Sequence, residues 1–427
     1  MQSTIDYLSS YYKNNFIDSD FANKVRQEAF QRFLERGMPS RKDESWRYAN
    51  IPGWYKNHLK PPQHNDDFNL QSDYLRSKPD IIIVDGSVQI LTDNIGIDIM
   101  SLQDAIITYP DKVESYIKNI QQNNNTNNPF VDFNSAAWSS GLFITIPENF
   151  SREESLKIVY MNTEEFFLNS LNIIEVGKNS RVNIAEYCYG YNSKSYNLNI
   201  VNNVYLAENS SLVHEKIQQD SIAAISQNFT NVKQAATSSY KKRQYNFGAK
   251  VYRDEIVIDF NGENAEAEFI GVDFSSKDAW HATNVKVNHN ASNCTSRQQF
   301  RSLVASTSTC SFLGYIYVPK NIEATEAYQD SKSLLLGETA RSNVKPYLEI
   351  FADDVICTHS ATIGNLDENS LFYLRARGFS EPAAYSILIE AFVQQLLDLC
   401  ICNDVKLEAK QAMNKISSSI FLEGSYE

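Results

Sequence analysis

Polar and apolar positions keep three different rhythms along this chain. Near the start, Phe21, Val25, Phe30, Phe33 and Leu34 recur at close to helical spacing, behind Ser19 and Asp20, either of which can cap a helix N-terminus. Gly37 accepts a left-handed turn and Pro39 cannot continue a helix, so the helix is predicted to end there. The following loop carries Arg41, Lys42, Glu44, Trp46, Arg47 and Tyr48 and is predicted to pack through Trp46. The polar run Asn123-Asn124-Asn125-Thr126-Asn127-Asn128-Pro129 has no apolar area to offset the entropy of ordering and reads as a linker. It closes a mostly helical region over residues 1–128.

From about Leu156 the rhythm changes to short runs rich in Val, Ile, Tyr and Phe, separated by turns of small polar residues. The turns resemble one another and lie near Asn179, Asn209, Thr237, Asn264 and Ala291, at successive offsets of 30, 28, 27 and 27 residues. Alternating pairs such as Val182 and Ile184, or Leu212 and His214, follow them. A near-constant period with one strand-turn-strand unit is what a β-solenoid needs, because each coil buries its apolar edge only by stacking on the next. Helical runs are nearly absent here, which disfavours a doubly wound sheet. A β-sandwich is the alternative that periodicity leaves open. The strand-rich core is placed at residues 129–365.

The third rhythm is helical again and covers residues 366–427. Asp367 can cap a short helix with Leu371, Phe372 and Leu374, closed by Gly378. Ser380 can cap the next helix, with Pro382 in its first turn. There Tyr385, Leu388, Ile389, Phe392, Val393, Leu396 and Leu397 form one apolar face, suited to packing on its own domain or on a partner.

Charge and motifs narrow the function. A formal net charge of -13 repels phosphate backbones, so nucleic acid is an unsuitable partner. The basic run Lys241-Lys242-Arg243 reads as a solvated loop or turn. No apolar run reaches the roughly 18 residues of a membrane helix, and Met1 to Asn15 lacks a secretory pattern. The expected compartment is the cytoplasm, with thiols reduced. No phosphate-binding loop, H-E-x-x-H, G-x-S-x-G or C-x-x-C is present, so no catalytic residue is assigned.

Cys188, Cys294, Cys310, Cys357, Cys400 and Cys402 do not form a disulfide framework. Cys400 and Cys402 are read as buried thiols on the apolar helix. His58 and His64 are expected at the surface, and His214, His281 and His289 as hydrogen-bonded strand residues. Cys357 and His359 differ, because alternation on a strand turns residues i and i+2 to the same face. Thiolate and imidazole both suit iron or zinc, although two ligands leave a site incomplete and spacing alone also admits a structural pair.

A longer pattern surrounds that pair. It runs Leu334-Leu335-Leu336-Gly337, Lys345-Pro346-Tyr347-Leu348-Glu349-Ile350, then Ala352 through Gly364, Leu366-Asp367-Glu368 and Leu371 through Gly378. Gly37 through Tyr48, Ser296 through Arg301 and Phe312 through Val318 extend it. This order of residues resembles the SufD family, subunits of the SufBCD complex that assembles iron–sulfur clusters. The homologous SufB proteins carry a scaffold cysteine where this chain has Ala340, while Cys357-x-His359 is SufD-like; Ser360 stands where the family usually has glycine.

The resemblance implies a right-handed parallel β-helix between helical ends. It also implies a non-catalytic scaffold that pairs with SufB through the end of the β-helix and binds the SufC ATPase through the C-terminal helices, near Leu371, Phe372, Tyr373, Arg375, Arg377 and Gly378. His359, with Cys357, would help a SufB thiolate hold nascent iron–sulfur species, and the family is also linked to iron acquisition. No cofactor is expected to bind the isolated chain tightly. A flavin in the complex and a homodimer of the isolated chain are left open. The rivals are a stand-alone β-helix enzyme acting on a polysaccharide or acyl substrate, and a platform with no ligand residue. Adjacent Asp353 and Asp354 would face opposite ways on a strand and make a poor acid–base pair for the first.

Overall fold

The computed structural model describes residues 2–13, 20–40, 42–43, 46–47, 59–62, 78–93, 95–122, 128–190 and 193–424. Ser19, His58, His64, several loop positions including Arg41, Glu44 and Tyr48, and Asn123 to Asn127 lie outside them. Two long sheets face each other. One holds β5 (Leu156–Asn162), β7 (Arg181–Gly190), β9 (Ser211–Gln219), β11 (Ser239–Asn246), β13 (Glu266–Ser275), β15 (Thr295–Val304), β17 (Thr325–Leu335) and β19 (Val355–Asn365). The other holds β4 (Leu142–Ile146), β6 (Phe167–Val176), β8 (Asn197–Leu206), β10 (Ile225–Gln234), β12 (Val251–Phe260), β14 (Trp280–His289), β16 (Thr309–Val318) and β18 (Arg341–Ile350). The chain alternates between sheets, and every neighbouring pair in these two sets is parallel, giving a β-solenoid of about eight coils.

The repeated turns are its corners. Asn149, Asn179, Asn209, Thr237, Asn264 and Asn293 all take positive φ, between 57° and 60°. Asparagine tolerates this left-handed conformation better than most residues with a Cβ, which explains its recurrence. The fifth turn is therefore centred on Asn293, not Ala291, because Asn293 is the residue that turns left-handed. Stacking also joins corner side chains: Asn179 donates to Asn149 at 3.0 Å and Asn209 donates to Asn179 at 2.9 Å.

The first region is not helical throughout. Besides α1 (Gln2–Lys13), α2 (Asp20–Arg36), α3 (Leu102–Thr108) and α4 (Pro110–Gln122), it contributes β1 (Ile81–Val84), β2 (Ser87–Ile90) and β3 (Asp98–Ser101). Four consecutive apolar residues make β1 a strand buried on both faces, and it pairs parallel to β5. Helix α5 (Pro129–Ala137) then begins at Asn128, whose side chain accepts from the Phe130 N–H. These helices cover the outer face of the β4–β18 sheet. Val25, Ile106 and Ile117 meet Val201, Phe229 and Val257, while Phe33 and Phe133 meet Phe167 and Trp280. Trp46 is buried beneath the Arg253 guanidinium, 3.8 Å from its ring centroid.

The lumen has an apolar half and a polar half. Ile174, Val204, Val232, Ile258 and Val287 belong to the first. Glu186, His214, Lys216, Lys242 and Asp254 are buried in the second. Lys241-Lys242-Arg243 is thus no solvated turn but the middle of β11. Lys242 is 1 % exposed, and Arg243 lies on the outer face 3.6 Å from Glu215. Burial pushes the His214 imidazole down, reinforced by the Lys242 charge, so it sits neutral among these ions.

Further along the lumen, His281 Nδ1 lies 2.9 Å from Asp273 and its Nε2 lies 3.1 Å from the Ala249 carbonyl. Burial pushes this imidazole down, but the Asp273 carboxylate outweighs it, and the group lies above its ordinary value. An imidazolium held this way stabilises the fold fully below the unfolded value near 6.5, and the contribution fades as pH rises through the raised folded value. H281N is expected to cost on the order of 3 kcal/mol at pH 6, as for other broken buried pairs. Thermal unfolding should show this deficit shrinking by pH 9; a pH-independent deficit would mean that His281 is buried uncharged.

Candidate functional site

The two ends of the solenoid are unlike. At the first, β2 runs antiparallel on β1 and β3 antiparallel on β4, which ends both parallel ladders. At the other, β18 and β19 are the last strands of their sheets, each bonded on one side only among the described residues. An open strand edge is a template for another chain.

Cys357 and His359 lie on β19, on its lumen side. Register fixes this: Cys357 pairs with buried Ala327, and His359 with buried Gln329. The intervening positions face outward, where Ser360 donates to Asp330 at 2.6 Å and Arg301 donates to the same carboxylate at 2.6 Å. Ser360 therefore adds a rung to an outer polar ladder and leaves the inward face to His359. Cys357 is half-buried against Val318, Ala327 and Leu348, and burial raises its thiol. His359 is exposed.

Beneath His359 the solenoid forms a cup. Gln298, Gln329 and His359 stack in one inward column on consecutive strands. Gly314 faces the two carboxamides from β16; a Cβ there would lie 2.8 Å from Gln298 Oε1 and 3.0 Å from Gln329 Nε2. Phe269, Phe300 and Phe312 close the floor, the last two stacked at 4.6 Å. Among the described residues no group of three or more His, Cys, Asp or Glu side chains could hold a metal. Cys357 and His359 by themselves would be at most part of a ligand set.

On the outer face beside the open end, Lys286, Tyr315 and Tyr347 stand in register on β14, β16 and β18. The two tyrosine rings stack at 5.0 Å, with the Lys286 ammonium 4.9 Å from the Tyr315 centroid. Asp353 and Asp354 sit in the turn before β19, not on a strand, and Asp354 accepts from the Ala324 N–H at 3.0 Å.

After β19 comes α6 (Glu368–Ala376), capped by Asp367, which accepts from Ser370 N at 2.9 Å. None of its residues is buried; Phe372 is 75 % and Tyr373 56 % exposed. Arg377 lies over the Tyr373 ring at 4.7 Å, Arg375 reaches Glu381 at 3.2 Å, and Gly378 takes φ 94° to turn the chain. Leu371 is half-buried. The six residues assigned from sequence thus form one projecting aromatic and cationic knob.

The knob is held by a strap. Helix α7 (Glu381–Leu397) packs Ile389, Val393, Leu396 and Leu397 on Ile270, Val272, Leu303 and Leu334 of the β5–β19 sheet. Ser380 stands at its N-cap without a side-chain cap bond. Cys400 and Cys402 are not on this helix but in the turn before α8 (Asn403–Gly424), both buried as free thiols. Glu215 explains the turn: its two oxygens accept the Ile401 and Cys402 N–H groups, each at 2.7 Å. Tyr189 donates to Glu408 at 2.7 Å and Lys157 pairs with Asp404 at 2.7 Å. Gln329 and Glu215 had no local signature, and Gln298 and Gly314 lay in resembling stretches with no role assigned, since each acts through a neighbour on another coil or element.

The described residues thus form a solenoid capped at one end and open at the other, with Cys357 and His359 on the last strand and an exposed helix beside it. The family model described as "SUF system FeS cluster assembly, SufBD core domain" matches residues 159–392, and that described as "SufBD protein N-terminal region" matches residues 1–158. The chain belongs to the SufBD family of the system that assembles iron–sulfur clusters. It is 24% identical to the iron–sulfur cluster assembly protein SufD of Escherichia coli over 87% of this chain and 88% of that protein. It is 29% identical to a SufBD family protein of Synechocystis over 65% of this chain and 64% of the relative. Protein ABCI7, chloroplastic, of Arabidopsis thaliana is 26% identical over 91% of this chain and 84% of its own length. No helix among the described residues is long and apolar enough to cross a membrane.

Loss of the Glu215 carboxylate leaves two buried N–H groups without acceptors, so E215A is expected to weaken the strap by about 3 kcal/mol. Hydrogen exchange should rise selectively over residues 381–424. Unchanged protection there would mean that the apolar face of α7 holds the strap alone.

Proposed function

We propose that this chain is a SufD-type, non-catalytic subunit of a SufBCD assembly. Its open end pairs with the end of a SufB β-helix, and its projecting helix α6 receives a SufC ATPase, which supplies the nucleotide chemistry. His359, with Cys357, contributes to a shared site where iron and sulfide gather as cargo, with no resident cofactor. One observation carries the reading: the two ligand-type residues face the lumen on an edge strand whose outer side has no neighbour among the described residues. The family's cluster-assembly role fits this arrangement. Ala340, where SufB proteins carry their scaffold thiol, supports assigning the thiolate to the partner. The half-buried Cys357 has a raised thiol and is less ready to ligate than the exposed His359. The projecting Phe372, Tyr373 and Arg377 suit a contact in which aromatic and arginine side chains become buried.

Anaerobic co-expression with cognate SufB and SufC proteins tests this. H359A is expected to yield the complex in normal amount with iron and sulfide reduced at least several-fold. A fully loaded H359A complex would remove the ligand role. The double variant F372A/Y373A is expected to lose SufC selectively while keeping SufB; retention of both would place the SufC contact elsewhere.

A further inference from the structure

Among the described residues, four buried amide atoms under His359 have no hydrogen-bond partner: Nε2 and Oε1 of Gln298, and Nε2 and Oε1 of Gln329. The two residues are 1 % and 4 % exposed. A buried polar atom left unpaired costs about 1–3 kcal/mol, so two whole carboxamides placed this way need a reason. Among the described residues the surrounding walls make no hydrogen bond to them. Gly314 presents only hydrogen to both, and the floor is aromatic. Gln329 has two neighbours in register, Gln298 one coil deeper and His359 on the next strand toward the open end, at a strand spacing of about 4.8 Å. The His359 ring is exposed.

We infer that Gln329 is the positioning residue of His359: its Oε1 accepts one ring N–H and so fixes both the tautomer and the plane of the imidazole. The other ring nitrogen then keeps its lone pair toward the open end, where cargo iron would arrive. An imidazole that ligates through one nitrogen needs an acceptor for the proton on the other. Gln298, one coil deeper in the same column, supports the Gln329 amide from below, and the absent Cβ at Gly314 leaves room for both side chains to cross the lumen. The inference rests on the reading of His359 as a ligand for iron–sulfur species.

The test uses the full chain by itself, labelled with ¹⁵N-histidine. Long-range ¹H–¹⁵N spectra report the tautomer of each ring, and the His359 signal is assigned by its loss in H359A. One tautomer is expected to dominate at His359 at least tenfold. Q329M, close in size but without an amide, should return it to the mixture of a free imidazole. Q329E keeps an acceptor and should retain the single tautomer. G314A, which displaces both carboxamides without touching His359, should act like Q329M. In the co-purified complex, Q329M should lower iron several-fold at unchanged complex yield, with Q329E restoring it. A His359 tautomer that Q329M and G314A leave unchanged overturns the inference. If instead H359A complexes load iron normally while Q329M still shifts the tautomer, the positioning contact stands and the ligand role fails.

Discussion

Everything in this molecule depends on parallel strands stacking in register, coil on coil. A parallel ladder satisfies its own N–H and C=O groups only between its ends, so a solenoid must dispose of two edges. Here they are treated differently. Antiparallel β2 and β3 stop both ladders at the first end, while β18 and β19 leave them open at the other. The proposed assembly site lies at the end left open among the described residues.

The same stacking makes the lumen a set of side-chain columns. A column repeats one orientation through all coils, so a residue's neighbours above and below lie about thirty positions away in sequence: Gln329 is paired to His359, and Gln298 to Gln329. One side of the lumen uses its columns for close apolar packing. The other buries ions and amides, where charges such as Lys216, Lys242, Glu186 and Asp254 must compensate one another in a low-dielectric interior. Phe269, Phe300 and Phe312 separate that ionic compartment from the cup under His359.

Helices lie on both outer faces, although Tyr347 on β18 beside the open end stays exposed. The N-terminal helices seal one sheet through aromatic packing, and the C-terminal strap seals the other through α7 and the Glu215 clasp. The strap runs from the open end back across the sheet to β5, where Lys157 meets Asp404. Helix α6 is thus rooted in the body of the solenoid although none of its own residues is buried. The helix joins directly to the sheet that carries Cys357 and His359, as the proposed coupling of a SufC subunit to that end would need.

The sequence alone determined the parts governed by local rules. The near-thirty-residue recurrence marked the coils, and the asparagine-rich corners followed from the left-handed turn each coil needs. Strand alternation put Cys357 and His359 on one face, and Asp367 and Gly378 bounded α6. Family resemblance added which of these positions to watch. What only the tertiary structure decided is who lies above whom. Lys242 looked solvated because a basic run is usually exposed, but register turned it into the lumen. Gln329 carried no signal, and Gln298 lay in a resembling stretch without an assigned role, since their meaning lies in sharing a column with His359. Cys400 and Cys402 looked helical by composition, yet the Glu215 clasp bends the chain there. Local spacing fixes which way a side chain points along its own strand; its neighbours depend on the summed length of every turn between coils, which becomes visible only when the coils are stacked.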